Sequence, residues 1–498
     1  MNTLDYIQKE APTREFSQKP NILLGRLGPL DIDTKKIEWI HDHPRLFKIS
    51  HFVFKSLVAF SLACPLVLGA QGLIYAGAGV TTTLVKSLVE RSVENLGAFA
   101  SPFTQMVFAA KKCEGGQIHY QGNVPILTLY SDNPHVAGKA HGYLCAPQML
   151  NLFDRVEEEQ SRSPAELASA LEKLNIPDSM RKEMEGMAEG INQWIDEQWG
   201  LYKHRKVTTE EILLANLMPD SLYYNPAAHN QAQKVTNVAC TAILDKNKES
   251  GVVFGRTMDW RSFGLAGTYT LMINRKYTDG RHNTVEVGVP GFVGTLTGMN
   301  DAGFSCAMNV CGAAKVHPDG IPSSFYNRMI LENANSVKQA KSWMNSHAGH
   351  PLGSYHLSLA DPKSAEAVHF YQKTRRSPWE WITGAKSSHH AFRPLAKKEP
   401  LVTTNRSFDH DPRHMFWSQE REQNLQALFS DANAHVDRES QDLEKLIGYA
   451  LTLPYVNNLI TTHAVQMVPG SRGMRVAADN SFAASHPLEE IDTEPLFS

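Results

Sequence analysis

The sequence has few cysteines: six in 498 residues, at positions 64, 113, 145, 240, 306 and 311. This is too sparse for a disulfide-stabilised scaffold, and the absence of a C-x-x-C pair argues against a zinc site built from cysteines. The net charge is also small, −3 from 49 Lys plus Arg and 52 Asp plus Glu, so the chain lacks the basic surface of a nucleic-acid-binding protein. With 42% hydrophobic and 20% charged residues, the composition indicates a globular protein of two or three structural units.

Two common catalytic motifs are also missing. There is no G-x-S-x-G pentapeptide of a serine hydrolase and no H-E-x-x-H of a zinc protease. The 21 histidines include only one adjacent pair, His389-His390, in a polar stretch typical of a solvated loop. We therefore expect neither a metal centre nor a bound cofactor.

The N-terminal extension, residues 1–110, contains one uncharged hydrophobic segment at 56–80. It is long enough to cross a bilayer as a membrane anchor, but Pro65 and the glycines near Gly77 fit a buried helical hairpin equally well. If the segment spans a membrane, the excess of Lys and Arg before it keeps the N-terminus cytoplasmic and exports the rest. A membrane-associated, exported or lumenal location is therefore favoured, and the sequence leaves a cytoplasmic one open.

Residues 111–239 begin with the pattern of a strand–turn–strand, whose turn is at Gly122-Asn123. The rest of this range has the pattern of a mostly helical region. A helix after Asp178 places an apolar stripe on one face, consisting of Met180, Met184, Met187, Ile191, Trp194 and Ile195. Such a stripe indicates core packing, and a lipid-binding groove is the alternative.

The segment that follows is typical of a β-hairpin, with apolar runs at 240–244 and 252–257. A turn centred between residues 248 and 249 predicts that Cys240 lies opposite Thr257, with Arg256 and Asp259 within a residue or two. A nearby guanidinium favours the nucleophilic thiolate, and a carboxylate can orient a base. A buried structural cysteine beside an ion pair is the alternative that these residues alone allow.

The pattern Cys240-Thr241, Gly255-Arg256 and Asp259 resembles the cysteine N-terminal-nucleophile (Ntn) amidohydrolases, which include acid ceramidase, N-acylethanolamine acid amidase, choloylglycine hydrolase and penicillin V acylase. Further segments match in the same order along residues 115–480. They are the strand pair at 289–298, the turn at 299–304 leading to Asn309, the strand ending at Asn405, and Arg421, for which Arg413 is the fallback.

This resemblance implies a four-layer αββα sandwich (an α+β fold) with a helical N-terminal proregion. It also implies a precursor that cleaves itself between Ala239 and Cys240 into an α-chain (111–239) and a catalytic β-chain (240–498) that stay associated. The freed α-amine would act as the general base, since its ordinary pKa is about 7.7–8.0. The resemblance further implies that Arg256 stabilises the thiolate, Asp259 holds the amine and Asn405 helps to bind the oxyanion, with Asn309 and Arg421 completing the site.

The substrate is left open by the sequence. An N-acyl, lipid-like amide of the ceramide or N-acylethanolamine type is the first expectation, and conjugated bile salts, penicillin V and acyl-homoserine lactones are alternatives. Acyl transfer to an amine would share the same acyl-enzyme. Val310 stands where the ceramidases have Glu, and Cys306 and Cys311 are awkwardly spaced for a disulfide. An uncleaved, non-catalytic membrane-tethered relative is the alternative of a different class.

Overall fold

The computed structural model describes residues 108–159, 173–198, 205–220, 238–260, 265–311, 319–347, 349–370, 390–396, 399–406, 418–435, 442–458, 460–479 and 482–498. The hydrophobic segment 56–80, the rest of residues 1–107 and the polar loop before Cys240 lie outside these ranges. Within them, no helix combines the length and apolar character needed to cross a bilayer.

The helices of the described residues are α1 (Pro134–Glu159), α2 (Asp178–Glu197), α3 (Thr209–Asn216), α4 (Leu265–Thr268), α5 (Ser323–Asn333), α6 (Val337–Ser346), α7 (Ser418–His435), α8 (Leu443–Thr452) and α9 (Glu494–Phe497). The first half of the strands comprises β1 (Lys111–Cys113), β2 (Gly116–Gln121), β3 (Val124–Leu129), β4 (Val238–Asn247), β5 (Gly251–Trp260), β6 (Leu271–Arg275), β7 (Thr284–Gly288) and β8 (Thr297–Asn300). The second half comprises β9 (Ser305–Val310), β10 (Tyr355–Ala360), β11 (Ala365–Phe370), β12 (His390–Pro394), β13 (Leu401–Thr403), β14 (Thr461–Val468), β15 (Gly473–Ala478) and β16 (Glu489–Ile491).

These strands form two sheets. The ten-stranded sheet has the order β1-β2-β3-β6-β7-β8-β9-β10-β11-β12, and the six-stranded sheet has the order β13-β4-β5-β14-β15-β16. Neighbouring strands are antiparallel except β3 and β6, which are parallel. The region expected to be a mostly helical proregion therefore also contributes three strands, β1 to β3, to the same sheet as residues after Cys240.

Side-chain alternation along the strands separates the layers. Ala242 and Leu244 pack in an apolar cluster shared by both sheets, whereas Ile243 packs with Leu446 and Ile447 of α8 on the opposite face. A third apolar cluster covers the outer face of the ten-stranded sheet with residues of α1, α2, α5 and α6. The expected αββα order of layers is thus confirmed.

Helices α1 and α2 approach each other closely through glycines. A Cβ atom on Gly138 would lie 1.9 Å from the carbonyl oxygen of Glu183, and one on Gly186 would lie 2.0 Å from that of His135. No side chain fits in such spaces, so these positions require glycine. The close approach buries the expected methionine stripe of α2, which includes Met180, Met184 and Met187. The stripe is core, as expected.

The β4–β5 hairpin forms as expected, but its register differs by one residue. Cys240 lies opposite Met258 and not Thr257. The turn holds three residues between the paired Asn247 and Gly251, because Gly251 adopts a φ of 66° and closes a turn of odd length. A shift of one residue exchanges the faces of a strand, and it places Cys240 and Arg256 on the same face.

Candidate active site

Cys240 lies in β4 near one end of the six-stranded sheet, and its side chain is buried. Cys240, Met258 and His463 are aligned across β4, β5 and β14, so their side chains share the face directed towards the other sheet. Met258 and Trp260 belong to the same apolar cluster as Cys240. The thiol therefore belongs to an apolar cluster that includes Met258, the residue directly opposite Cys240 on β5.

Arg256 brings a positive charge to the thiol. Its Nη2 donates to Sγ of Cys240 at 3.3 Å and to the carbonyl oxygen of Met308 at 2.8 Å. Its Nη1 lies 3.3 Å from Nε2 of His463, which must accept because a guanidinium can only donate. Burial, together with the charge of Arg256, lowers the pKa of His463 well below its ordinary value, so this imidazole is neutral.

The pKa of the Cys240 thiol is raised in the uncut chain. Burial is the largest cause, and the charge of Asp259 adds to it, whereas Arg256 and Arg421 oppose it. A buried thiol disfavours its charged form unless cations compensate. The thiol therefore stays protonated near neutral pH until a base takes its proton.

Asn405 and Arg421 bind the main chain of Cys240. The Cys240 N–H donates to Oδ1 of Asn405 at 2.8 Å, and the Asn405 Nδ2 donates to the carbonyl of Val310 at 2.8 Å. Arg421 donates through Nη1 to the carbonyl of Cys240 at 2.6 Å and to Oγ1 of Thr241 at 2.7 Å. Its Nη2 donates to Oδ1 of Asn405 at 2.8 Å. Arg421 thus contacts the main chain of Cys240 and the side chain of Asn405, and the fallback Arg413 lies outside the described residues.

Asp259 lies opposite Ala239, the residue before the expected cleavage point. Its Oδ1 accepts from Oγ1 of Thr461 at 2.6 Å, whereas Oδ2 is buried and meets no donor at hydrogen-bonding geometry among the described residues. Burial raises the pKa of Asp259, and Arg421, Thr461, Asn458 and Arg256 oppose that shift. A buried carboxylate oxygen beside the Ala239–Cys240 peptide could accept a hydrogen bond from an ammonium group on Cys240 if that bond were cleaved as expected.

Asn309 lies on β9, and its Nδ2 donates to the carbonyl oxygen of Thr403 at 3.1 Å. Its Oδ1 is buried and meets no donor among the residues that the structure describes. No hydrogen bond between Asn309 and Cys240 is found in this part of the chain. Of the expected site residues, Asn309 therefore contacts the strand that leads to Asn405 rather than the nucleophile itself.

Two residues that contact the site belong to no motif identified in the sequence. His463 and Thr461 reach Arg256 and Asp259 from β14, more than two hundred positions later in the chain. The available signal was a histidine within a strand that is otherwise mostly apolar.

The described residues also contain one group of metal-ligating side chains, Cys311, His356 and His369, which lies beyond Asn309 and takes no part in these contacts.

Comparison with known proteins finds a match between part of the chain and a family model. Residues 246–452 match the family model described as acyl-coenzyme A:6-aminopenicillanic acid acyl-transferase, a range that begins just after Cys240 and includes Arg256, Asp259 and Arg421. A search of curated proteins finds no match.

Several solved structures are similar in parts. An N-acylethanolamine-hydrolyzing acid amidase ortholog from Caenorhabditis elegans is 18% identical, over 46% of this chain and 93% of that one, with a TM-score of 0.35. Penicillin V acylase from Agrobacterium tumefaciens is 15% identical, over 48% and 83%, with a TM-score of 0.33. A mutant of conjugated bile acid hydrolase from Clostridium perfringens is 13% identical, over 52% and 94%, with a TM-score of 0.31.

The αββα layers, with a cysteine on the second strand of the six-stranded sheet and two arginines bound to it, agree with the architecture that the resemblance to the Ntn amidohydrolases implies. The family-model match covers less than half of the chain, and it likens residues 246–452 to the acyl-coenzyme A:6-aminopenicillanic acid acyl-transferases. The matched model and the similar structures are described as an acyl-transferase, an acid amidase, an acylase and a bile acid hydrolase.

Proposed function

We propose that the chain is the precursor of a self-cleaving amidohydrolase whose nucleophile is the thiol of Cys240. The observation that carries the proposal is that one residue has all three of its polar groups bound by the expected partners. Its Sγ contacts Arg256, its N–H contacts Asn405 and its carbonyl oxygen contacts Arg421. The main-chain groups of any buried strand residue need partners, but here the thiol and both main-chain groups are bound by three residues that the family resemblance assigns to the site.

The first step is cleavage of the Ala239–Cys240 peptide bond. The Cys240 thiol attacks the Ala239 carbonyl carbon and an S–C bond forms. The C–N bond breaks, and the thiol proton moves to the leaving nitrogen, which becomes a neutral α-amine that takes a further proton from water in its ammonium form. Water then hydrolyses this thioester and releases the carboxyl group of Ala239. Arg256 stabilises the thiolate, and the buried Oδ2 of Asp259 accepts a hydrogen bond from the new α-ammonium group.

The second reaction uses the same groups on an external amide. The free amine takes the proton of the thiol, the thiolate attacks the substrate carbonyl, and the amine returns the proton to the leaving nitrogen. Asn405 supplies a donor for the oxyanion through Nδ2, which in the uncut chain donates to Val310. Water then hydrolyses the acyl-enzyme and regenerates the thiol.

An apolar, lipid-like acyl group is the substrate that the surroundings of Cys240 favour. Met258, Trp260 and Phe292 belong to the same buried cluster as the thiol, and the rings of Trp260 and Phe292 meet edge to face at 6.3 Å. Apolar side chains beside the thiol bind an aliphatic chain better than a charged group. Amides of the ceramide or N-acylethanolamine type are therefore the first substrates to assay.

Transfer of the acyl group to an amine is the second candidate function. The matched family model is described as an acyl-transferase, which favours this alternative specifically. The acyl-enzyme is common to both reactions, and only the acceptor differs. Assays with and without added amine acceptors, with products identified by mass, distinguish the two.

The α- and β-chains are proposed to stay together after cleavage. Glu183 of α2 receives hydrogen bonds from Arg275 and Arg328, which lie after Cys240 in the chain, each at 2.6 Å. These three side chains are buried. Parallel pairing of β3 with β6 adds main-chain hydrogen bonds across the same boundary.

The test is the intact mass and N-terminal sequence of the purified protein, beside Cys240→Ala and the control Cys113→Ala, whose cysteine is far from the site on β1. We expect a fragment beginning Cys-Thr-Ala-Ile in the wild type and the control, and one uncut chain in Cys240→Ala. Each protein is incubated at neutral and acidic pH and then assayed with N-acyl amides of several chain lengths. Cleavage at the same bond in Cys240→Ala refutes the proposal. A wild type that stays uncut at every pH and hydrolyses no amide indicates the non-catalytic relative.

A further inference from the structure

Three buried side chains outside the catalytic contacts converge between the two sheets. Cys311 follows β9, His356 lies on β10 and His369 lies on β11. One ligand atom from each, the Sγ and a ring nitrogen of both histidines, lies within 4.8 Å of the other two. The two imidazole rings are 4.7 Å apart between centroids. We refer to these three residues as the Cys–His cluster.

The strand register produces this convergence. His356 and His369 are directly opposite each other on β10 and β11, so their side chains lie on the same face of the sheet. On the other side of β10, His356 is opposite Asn309, and Cys311 is two residues further along the same strand direction. Because alternate residues share a face, Asn309 and Cys311 both point towards His356.

His356 is held in the state that a metal ligand needs. Its Nε2 lies 2.6 Å from the carbonyl oxygen of Arg406, and since a carbonyl can only accept, Nε2 carries the proton. The other ring nitrogen, Nδ1, then has the lone pair. Histidines that bind metals commonly donate their second N–H to a carbonyl in this way.

We propose that the Cys–His cluster binds one divalent transition-metal ion of the Zn²⁺ class. One thiolate and two neutral imidazoles are the ligands that such ions prefer, whereas Mg²⁺ and Ca²⁺ require oxygen ligands, which this cluster does not supply. Side-chain rotations that move the Sγ and ring-nitrogen atoms by about 1 Å bring them to the Zn–S and Zn–N distances of roughly 2.3 and 2.0 Å from one ion. On binding, the Cys311 thiol releases its proton to water, and the fourth coordination position is left for a water molecule.

The site would be linked to the catalytic residues without being part of them. Arg406, which accepts from His356, directly follows Asn405, and Asn309 precedes Cys311 by two residues on the same segment. A bound ion therefore fixes the ends of two segments that carry the expected site residues Asn309 and Asn405. Such an ion stabilises the folded chain by its binding free energy, so its effect is measurable as a shift of the melting temperature.

The experiment uses the full chain without an affinity tag. Bound metal is first removed with a chelator. The protein is then dialysed against one to three equivalents of Zn²⁺ or Co²⁺, and its metal content is measured by elemental mass spectrometry. Cys311→Ser and His369→Gln are compared with Cys306→Ser, a buried cysteine on the opposite face of β9, and with Cys240→Ser. Circular dichroism verifies the fold of each variant.

We expect one equivalent of metal in the wild type, Cys306→Ser and Cys240→Ser, and at least a tenfold loss of affinity in both cluster variants. The Co²⁺ form should show a thiolate charge-transfer band that Cys311→Ser lacks, and Zn²⁺ should raise the melting temperature of the wild type but not of His369→Gln. Metal retained in both cluster variants, no stoichiometric binding in the wild type, or loss only in Cys240→Ser overturns the proposal. If Cys311→Ser does not fold, His369→Gln decides by the same readouts. None of these readouts depends on self-cleavage or amide hydrolysis.

Discussion

The Nη2 atom of Arg256 lies 3.3 Å from Sγ of Cys240, and both residues project from the same face of the β4–β5 hairpin. Because their strands are neighbours, this relationship is fixed by the backbone register and needs no long loop. The guanidinium also donates to the carbonyl of Met308 on the other sheet. The cation beside the thiol is thus anchored to both sheets.

Replacing Arg256 tests whether this cation activates the thiol. We expect Arg256→Gln to slow self-cleavage and alkylation of Cys240 by roughly 10- to 100-fold, since a hydrogen bond to a charged group contributes about 1.5–3 kcal/mol. Arg475→Gln, which removes a half-buried pair with Glu444 away from the site, is the control. Rates are followed by mass spectrometry against pH, and an unchanged thiol pKa in Arg256→Gln contradicts the expectation.

His463 is expected to position Arg256. His463→Gln keeps an acceptor for the guanidinium, whereas His463→Leu removes it. We expect the leucine variant to lose about tenfold in cleavage rate, the scale of one hydrogen bond to a charged group, and the glutamine variant to lose much less. Because His463 is neutral in the wild type, neither variant should remove a titration from the pH profile between 5 and 8. Equal losses in both variants would indicate a packing role only.

Asp220 makes the stability of the fold depend on pH. Burial raises its pKa to about 6, although the main-chain N–H and hydroxyl of Ser323 donate to it. A raised carboxyl pKa means that the folded state holds the proton longer than the unfolded state. The stabilisation is therefore present below pH 3.8 and is lost as the pH rises through 6.

Asp220→Asn removes this dependence, since the amide can accept from the N–H of Ser323 and donate to its hydroxyl. We expect the variant to be more stable than the wild type at pH 7.5, by up to about 3 kcal/mol, and the gain to vanish near pH 4. Urea unfolding at several pH values measures it. Asp178→Asn, at a side chain that is 76% exposed, is the control. A gain that is equal at all pH values would assign the effect to another cause.

Glu183 links the two expected chains and has the opposite pH dependence. Burial by itself would raise its pKa, but Arg275 and Arg328 outweigh it and lower the pKa to about 2. The stabilisation is therefore present above pH 4.5 and is lost as the pH falls towards 2.

We expect Glu183→Gln to destabilise the protein by about 3–5 kcal/mol at pH 7, since Arg275 and Arg328 each lose one carboxylate of a buried network and keep only Glu286 and Glu332. In a cleaved sample the variant should release its α-chain in urea at lower concentrations than the wild type. Glu189→Gln, which breaks a half-exposed pair with Lys139, is the control. Equal dissociation of Glu183→Gln and the control would show that the strand pairing alone holds the chains.

The local pattern predicted the β4–β5 hairpin, because two apolar runs and a polar turn are a short-range signal, whereas the order of layers followed from the family resemblance. The face on which Cys240 projects was not predicted, since it depends on whether the turn holds an odd or an even number of residues, and Gly251 decided this through its backbone angle. His463 was also missed, because a partner from a distant strand has no signal in local periodicity.

The contacts between α1 and α2 illustrate another limit. Glycines in a helix ordinarily suggest a weak or broken helix, yet Gly138 and Gly186 are where two main chains meet. Composition alone gives no information about such an approach, because it depends on what the opposite helix presents. Glu183 lies at the same crossing, and its buried arginine partners come from β6 and α5.

The bond expected to break lies within a paired strand. Val238 and Ala239 are opposite Trp260 and Asp259 in β5, so the residues before the bond continue the ladder that Cys240 belongs to. Cleavage would turn this stretch into the carboxyl tail of the first chain, still lying across the nucleophile like a reaction product. The cleaved enzyme would then be inhibited by this C-terminal segment. Its first turnover would require the segment to dissociate from β5.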